Sequence, residues 1–412
     1  MNQFTFEGKQ KRVLIGMMIL GLICLGLAFI DNAVPHHSRF WTNFLHNSVF
    51  FTGIAFTSMF IMTASITAYA GWFTVFKRIW EAYSQFLLVG LILMLVIIAG
   101  IWGHFHHIYH WADAEAVAAD ALLQGKSGFL NKYWYTFGTI IFVGAWYFFA
   151  MKIRSLSLEE DASGTADFAI HKKIKVYAAI FLPIAAFSSA AMIWLWTMSI
   201  DPHWYSTMYA WYSTASWFVS ALALTILTLI YMKSKGYFSD VTDEHLHDLG
   251  KYMFAFSIFW AYLWFSQFML IWYANVGEET IYFKLRRDEY PVLFYGNLLM
   301  NFFLPFLILM RNSTKRKYGI LTFVSILLLF GHWWDFFYMI KPGVYKEVMH
   351  AAGSHAEHVG YVAGFSIPGL IEIGTFIGFL GLFMYLAFNQ MSKASLRAER
   401  DPYYAESVHH HV

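Results

Sequence analysis

Three ionisable residues, His332, Asp335 and Glu372, fall inside long apolar runs, and this placement is what could do chemistry in this chain. A titratable group at membrane depth is costly, so it is first of all a functional hypothesis. Imidazole titrates near neutral pH and desolvated carboxyls titrate nearer to it, so groups at staggered depths can pass protons. His332 and Asp335 are three apart and share a helix face. Mutual satisfaction of the pair is the competing reading. Polar residues on neighbouring runs, Gln267, Asn275, Asn297 and Asn301, could extend a hydrated path, and Thr57, Ser58, Thr63 and Ser65 make the second run rich in hydroxyls.

These residues must be positioned by membrane helices. Of 412 residues, 58% are hydrophobic and 13% charged, about half the charge of an average soluble domain. A net charge of +2 offers no nucleic-acid footprint. The single cysteine, Cys24, excludes a disulfide framework, a cysteine-ligated iron–sulfur cluster and a C-x-x-C-H haem attachment. At about 20 apolar residues per crossing, ten spans are expected: 13–30, 47–73, 82–102, 133–151, 176–200, 208–232, 252–275, 291–310, 318–340 and 361–388. The basic start, Lys9, Lys11 and Arg12, precedes a retained first helix, because Asp31-Asn32-Ala33 is a poor cleavage site.

Alternating sides put 20 of the 28 lysines and arginines on the side of the N-terminus. That asymmetry predicts both termini in the cytoplasm. The expected fold is all-α and polytopic, with two four-helix bundles (47–200 and 208–340), flanking helices at 13–30 and 361–388, and a tail over 389–412. Spans two to five and six to nine both start on the outer side, from Ser38-Arg39-Phe40-Trp41-Thr42 and Asp201-Pro202-His203-Trp204-Tyr205, as parallel repeats would.

Helical rise sets depths: Asp335 roughly 7 Å and His332 roughly 12 Å below Ile340, and Glu372 roughly 17 Å from Tyr361, near the midplane. Pro368 frees a carbonyl that Glu372 could satisfy instead. The expected path reaches only halfway, since no ionisable residue continues inward from Glu372. A bis-histidine haem needs a second imidazole level with His332, and His46, His104 and the other histidines are placed at span ends.

The histidines are skewed outward: His36, His37, His46, His104, His106, His107, His110, His203, His350, His355 and His358. His104, His107 and His110 have helical spacing, which suits a metal cluster or interfacial side chains. An Ala-rich stretch from Ala112 to Leu123 predicts a surface helix. His203 beside Asp201 is the one pairing that would suit a membrane transferase. The mixed-charge segment with Glu278, Glu279, Lys284, Arg286, Arg287, Asp288 and Glu289 is either a docking surface or a solvated loop. The aromatic rings favour a flat ligand such as a quinone, and equally serve as packing and lipid-facing residues.

Three stretches carry a family resemblance: Asp201 to Tyr212 (DPHWYSTMYAWY), Trp272 to Thr280 (WYANVGEET) and Gly331 to Asp335 (GHWWD). With the ten-span layout, the whole chain resembles the smaller of the two polysulfide-reductase-type (NrfD-like) membrane subunits of bacterial alternative complex III, a quinol:cytochrome c oxidoreductase. Gly277 stands where that pattern has proline. The resemblance implies a scaffold subunit of the bacterial inner membrane, without a redox centre and with a proton-conducting half-path through His332, Asp335 and Glu372. It implies a larger sister membrane subunit that holds the quinol or menaquinol site, outer-side iron–sulfur and multihaem cytochrome c partners that carry the clusters and haems, and bound lipids. It also admits a terminal oxidase as partner. The different-class alternative is a secondary transporter with a midplane carboxylate, against which Pro183 and Pro305 fall in non-equivalent spans.

Overall fold

Ten apolar runs become ten helices because the backbone in a bilayer must satisfy its own hydrogen bonds. The computed structural model describes residues 3–163, 168–351 and 360–411. The candidate membrane spans, α1 to α10 in chain order, are Gly8–Ile30, Ser38–Thr67, Thr74–Trp102, Lys132–Ala162, Phe168–Ile200, Met208–Ser234, Asp243–Ala274, Pro291–Leu309, Tyr318–Met349 and Leu370–Met391. No β-strand occurs among the described residues. Both ends of the chain meet on one face, where Gln3 bridges Ser395. We call it the terminal face and its opposite the far face.

Helices α2 to α5 pack as one bundle and α6 to α9 as the other, joined where α2 meets α6 and α9. The joining helices α2 and α6 are 78% buried in their apolar windows, against 22% for α1, so the two joiners form the core. Gly53 permits the closest approach there, since a Cβ on it would lie 1.9 Å from the Trp217 ring. Helices α1 and α10 pair along Gly374, Gly378 and Gly381. A Cβ on Gly378 would come within 2.4 Å of the Gly21 Cα, the close backbone crossing that small residues allow in membranes.

Most helices run past the expected spans, because hydropathy stops at a polar residue while helical hydrogen bonding does not, whereas α10 is shorter than expected; three of these ends bear on the site. Helix α2 begins at Ser38 and takes in Arg39, Asn43 and His46. Helix α9 runs on past Ile340 through Lys341 and Pro342. Pro342 lacks the N–H that would bond the Tyr338 carbonyl, and Arg286 Nε donates to that carbonyl instead at 3.2 Å. Helix α10 begins only at Leu370, so Pro368 precedes it and interrupts nothing. The Ala-rich stretch forms two short helices, Ala114–Ala119 and Ala121–Lys126, separated by Asp120, whose carboxylate caps the second.

The tail folds back over the terminal face and touches both bundles. Asp401 pairs with Lys77 at 2.5 Å, Tyr404 donates to Asp240 at 2.6 Å and His410 meets Asp248 at 2.7 Å.

Candidate functional site

Helix α9 presents two polar faces. One carries Trp333, Phe337 and Lys341, four residues apart, toward α2. The other carries His332 and Asp335 toward α6, α7 and α8.

On the second face, Asp335 is fully buried and accepts four hydrogen bonds from neutral donors. These are the Tyr212 hydroxyl, the Ser216 hydroxyl at 2.5 Å, Trp260 Nε1 at 3.0 Å and Asn297 Nδ2 at 2.7 Å. Tyr212 and Ser216 lie four apart on α6, one helical turn, so both hydroxyls face the same carboxylate. Asn301 Nδ2 then donates to Asn297 Oδ1 at 2.6 Å and to the Gly331 carbonyl at 2.9 Å. Gly331 makes this possible, because a Cβ there would lie 2.2 Å from Asn301 Oδ1. Asn301 sits in a π-helical turn, Leu299–Phe303, just before Pro305. Such turns inside an α-helix are frequent at functional sites.

His332 does not pair with Asp335. Its ring stands edge-on to Trp260 at 5.5 Å, and neither ring nitrogen has a hydrogen-bond partner. Asn301 Oδ1 and Gln267 Nε2 are likewise buried without partners. Buried polar atoms of this kind are commonly satisfied by internal water.

The first face of α9 holds what hydropathy did not find. Lys341, fully buried, donates to Thr42 Oγ1 at 2.8 Å and Asn43 Oδ1 at 2.7 Å. Asn47 joins Asn43 to Trp333, donating to the Asn43 carbonyl at 2.8 Å and accepting from Trp333 Nε1 at 3.0 Å. His46 Nε2 lies 2.8 Å from the Trp333 carbonyl, with its ring stacked on the indole. His46 is therefore level with Trp333 and not at a span end, which corrects the premise used for haem. The two imidazoles pack on different elements, His46 on Trp333 and Phe337 and His332 on Trp260.

Glu372 also requires correction. It lies in the first turn of α10, at the far face and not at the midplane, as the third residue of a capping arrangement with Gly369. Its carboxylate accepts Arg39 Nε and Nη2, both at 2.9 Å, Asn43 Nδ2 at 3.0 Å and Gly369 N at 3.0 Å. Arg39 also reaches Asp31 at 2.5 Å. That hydrogen bond holds the Asp31 carboxyl below its usual range, against a smaller upward push from burial. Glu372 is thus the anion of a closed ion cluster, and the expected depth order from Asp335 through His332 to Glu372 does not hold. Among the described residues no hydrogen bond links this cluster to Asp335.

Other expected contributors are spent elsewhere. Thr57, Ser58 and Thr63 donate to carbonyls of their own helix at 2.8–2.9 Å. Asn275 ends α7 in the left-handed conformation, φ 50°, and is exposed. His203 lies 2.5 Å from Asp120, and Asp201 pairs with Arg286 at 2.9 Å, so the His203–Asp201 pairing does not form.

The segment from Gly277 to Asp288 is a helix. Glu278 and Arg287 are at its surface and Glu279 is half-buried, but Arg286 is fully buried among Asp201 and the carbonyls of Tyr282, Tyr338 and Met339, so it is unavailable to a partner.

Of the outer histidines, His36 and His107 meet, with ring centroids 4.1 Å apart, but among the described residues no three of them come together as metal ligands. Residues 103–109 are not helical, and burial pushes the His106 imidazole down to about 4, with its Nε2 against the Ile97 carbonyl. His355 and His358 lie outside the described residues, as does the side chain of His350. Comparison with known proteins adds nothing: no family model matches the chain, and no curated protein is significantly similar to it.

Proposed function

We propose that this multi-pass membrane protein is a subunit of a respiratory quinol:electron-acceptor oxidoreductase, serving as scaffold and offering a proton-exchanging half-path. One observation carries the reading. A buried carboxylate, Asp335, is held inside the second bundle by four neutral donors and no cation. An anion there is stabilised by donors alone, and a proton arriving at it requires only that a Tyr212 or Ser216 hydroxyl turn from donor to acceptor. His332, one turn toward the terminal face, has two unbonded nitrogens to receive or release that proton through water. The path runs through Asp335, Asn297, Asn301 and His332, with Gln267 at its edge. Glu372 is left to anchor α10.

On this reading electrons travel in partner subunits on the far face, and quinol is oxidised in a sister membrane subunit. The exposed rings of Trp272 (66%) and Tyr273 (84%), beside Glu278 and Arg287, supply a surface for those partners. The test is mild detergent extraction of the native membrane with the chain affinity-captured. Co-purifying multihaem and iron–sulfur subunits, seen by reduced-minus-oxidised absorbance and electron paramagnetic resonance, support the reading. A pure homo-oligomer overturns it.

A further inference from the structure

On the terminal face, far from Asp335, three ligating side chains from separate parts of the chain meet out of solvent. Glu160 ends α4, His171 begins α5 and Asp401 comes from the tail; they are 1%, 6% and 6% exposed. One ligand atom from each lies within 4.8 Å of the others, the one such grouping among the described residues. His171 Nδ1 and Glu160 Oε1 are 3.6 Å apart, close to the about 3.4 Å that separates two donors on a tetrahedral zinc ion.

The cluster is acidic, and what points to a ligand is its unmet bonding. Both Glu160 oxygens and His171 Nδ1 are buried without a hydrogen-bond partner. Lys77 sits nearby, but at 2.5 Å it is committed to Asp401, and it stands 3.6 Å from Glu160. The remaining Asp401 oxygen accepts the Tyr403 N–H at 3.0 Å, and the Tyr403 ring packs edge-on against His171 at 5.2 Å. These contacts orient a carboxylate and an imidazole in the way outer partners orient metal ligands.

We propose that Glu160, His171 and Asp401 form a binding site for a divalent transition cation, with zinc the best fit. One imidazole and two carboxylates are borderline-to-hard donors, which suit zinc better than a thiolate-seeking metal. Lys77 orients Asp401 and offsets part of the donor charge. The ion joins the tail to the adjoining ends of α4 and α5 and so fixes the tail across the terminal face.

The experiment uses the full chain in detergent without an affinity tag. His409→Ala and His411→Ala are introduced first, because those exposed tail imidazoles would take up zinc on their own. After chelator treatment the protein is equilibrated with a small excess of zinc chloride, gel-filtered and analysed for metal. The expected result is about one zinc per chain, falling at least tenfold in His171→Ala and in Glu160→Gln. Zinc should also slow tryptic cleavage after Arg400 in the parent and not in those variants. No zinc retained by the parent, or equal retention in parent and both variants, overturns the proposal. Should a variant fail to fold, cobalt chloride on the parent decides: intense visible d–d bands of low-coordinate cobalt support the site, and a weak octahedral spectrum or none refutes it.

Discussion

Replacing Glu372 by Gln separates the structural account from a midplane proton path. Glu372 is 1% exposed and accepts two charge-assisted bonds from Arg39 at 2.9 Å, with Asn43 and Gly369 N each at 3.0 Å. Glutamine keeps one acceptor oxygen, but its NH2 turns a donor against groups that are themselves donors. Breaking a buried ion pair from one side costs about 3–5 kcal/mol. The lower end applies, since Asp31 still accepts from Arg39 at 2.5 Å. The expected loss is about 3 kcal/mol, roughly a hundredfold in the unfolding constant. Denaturing-detergent titration of the protein in mixed micelles measures it. A cycle with Arg39→Gln should return a coupling of about 1.5 kcal/mol or more, because the two side chains touch. A Glu372→Gln protein as stable as wild type, or an additive cycle, would refute the ion-cluster account.

Further expectations follow from particular contacts. Gly378→Ala places a Cβ 2.4 Å from the Gly21 Cα, forcing α1 and α10 apart, and crosslinking between cysteines introduced along the two helices should fall sharply. Gly331→Ala meets Asn301 Oδ1 at 2.2 Å and should lower the melting temperature by breaking the Asn301–Asn297 bond, whereas Gly319→Ala, in open space, should not. Asp31→Asn should cost stability at neutral pH. Its carboxyl is held low by Arg39, so its contribution is complete above the ordinary carboxylate value of about 3.9 and lost as pH falls through the lower folded value. The melting-temperature gap to wild type should therefore narrow as the pH falls below about 3.9.

Hydropathy made the ten crossings and the all-α class legible, because twenty apolar residues in succession have few other uses. It also brought out Asp335, Asn297 and Asn301, since polar atoms stand out in such runs. It misplaced Glu372 by counting depth from Tyr361, although Pro368-Gly369 followed three residues later by Glu is a helix-start pattern that puts the carboxylate in the first turn. Lys341 and Arg39 fell outside the expected spans, 318–340 and 47–73, because a charge closes a hydropathy window. The signal available was Lys341 three residues after the aromatic run Phe336–Tyr338 and directly before a proline, where a helix can continue with a kink. Arg286 was read with its charged neighbours, yet alone among them it stands four residues after Tyr282, whose ring it covers at 3.5 Å. The Glu160–His171–Asp401 convergence was not legible at all, because Asp401 lies 230 residues beyond His171 and only the folded tail brings it back.

The central claim rests on Asp335 exchanging protons within an assembled complex. Asp335→Asn keeps the size of the side chain and removes its titration. With the complex captured intact and reconstituted into vesicles, quinol-driven proton movement followed with an enclosed pH dye should fall at least tenfold per electron transferred, with the partner subunits still bound. An Asp335→Asn complex that assembles and moves protons with wild-type stoichiometry would contradict the account.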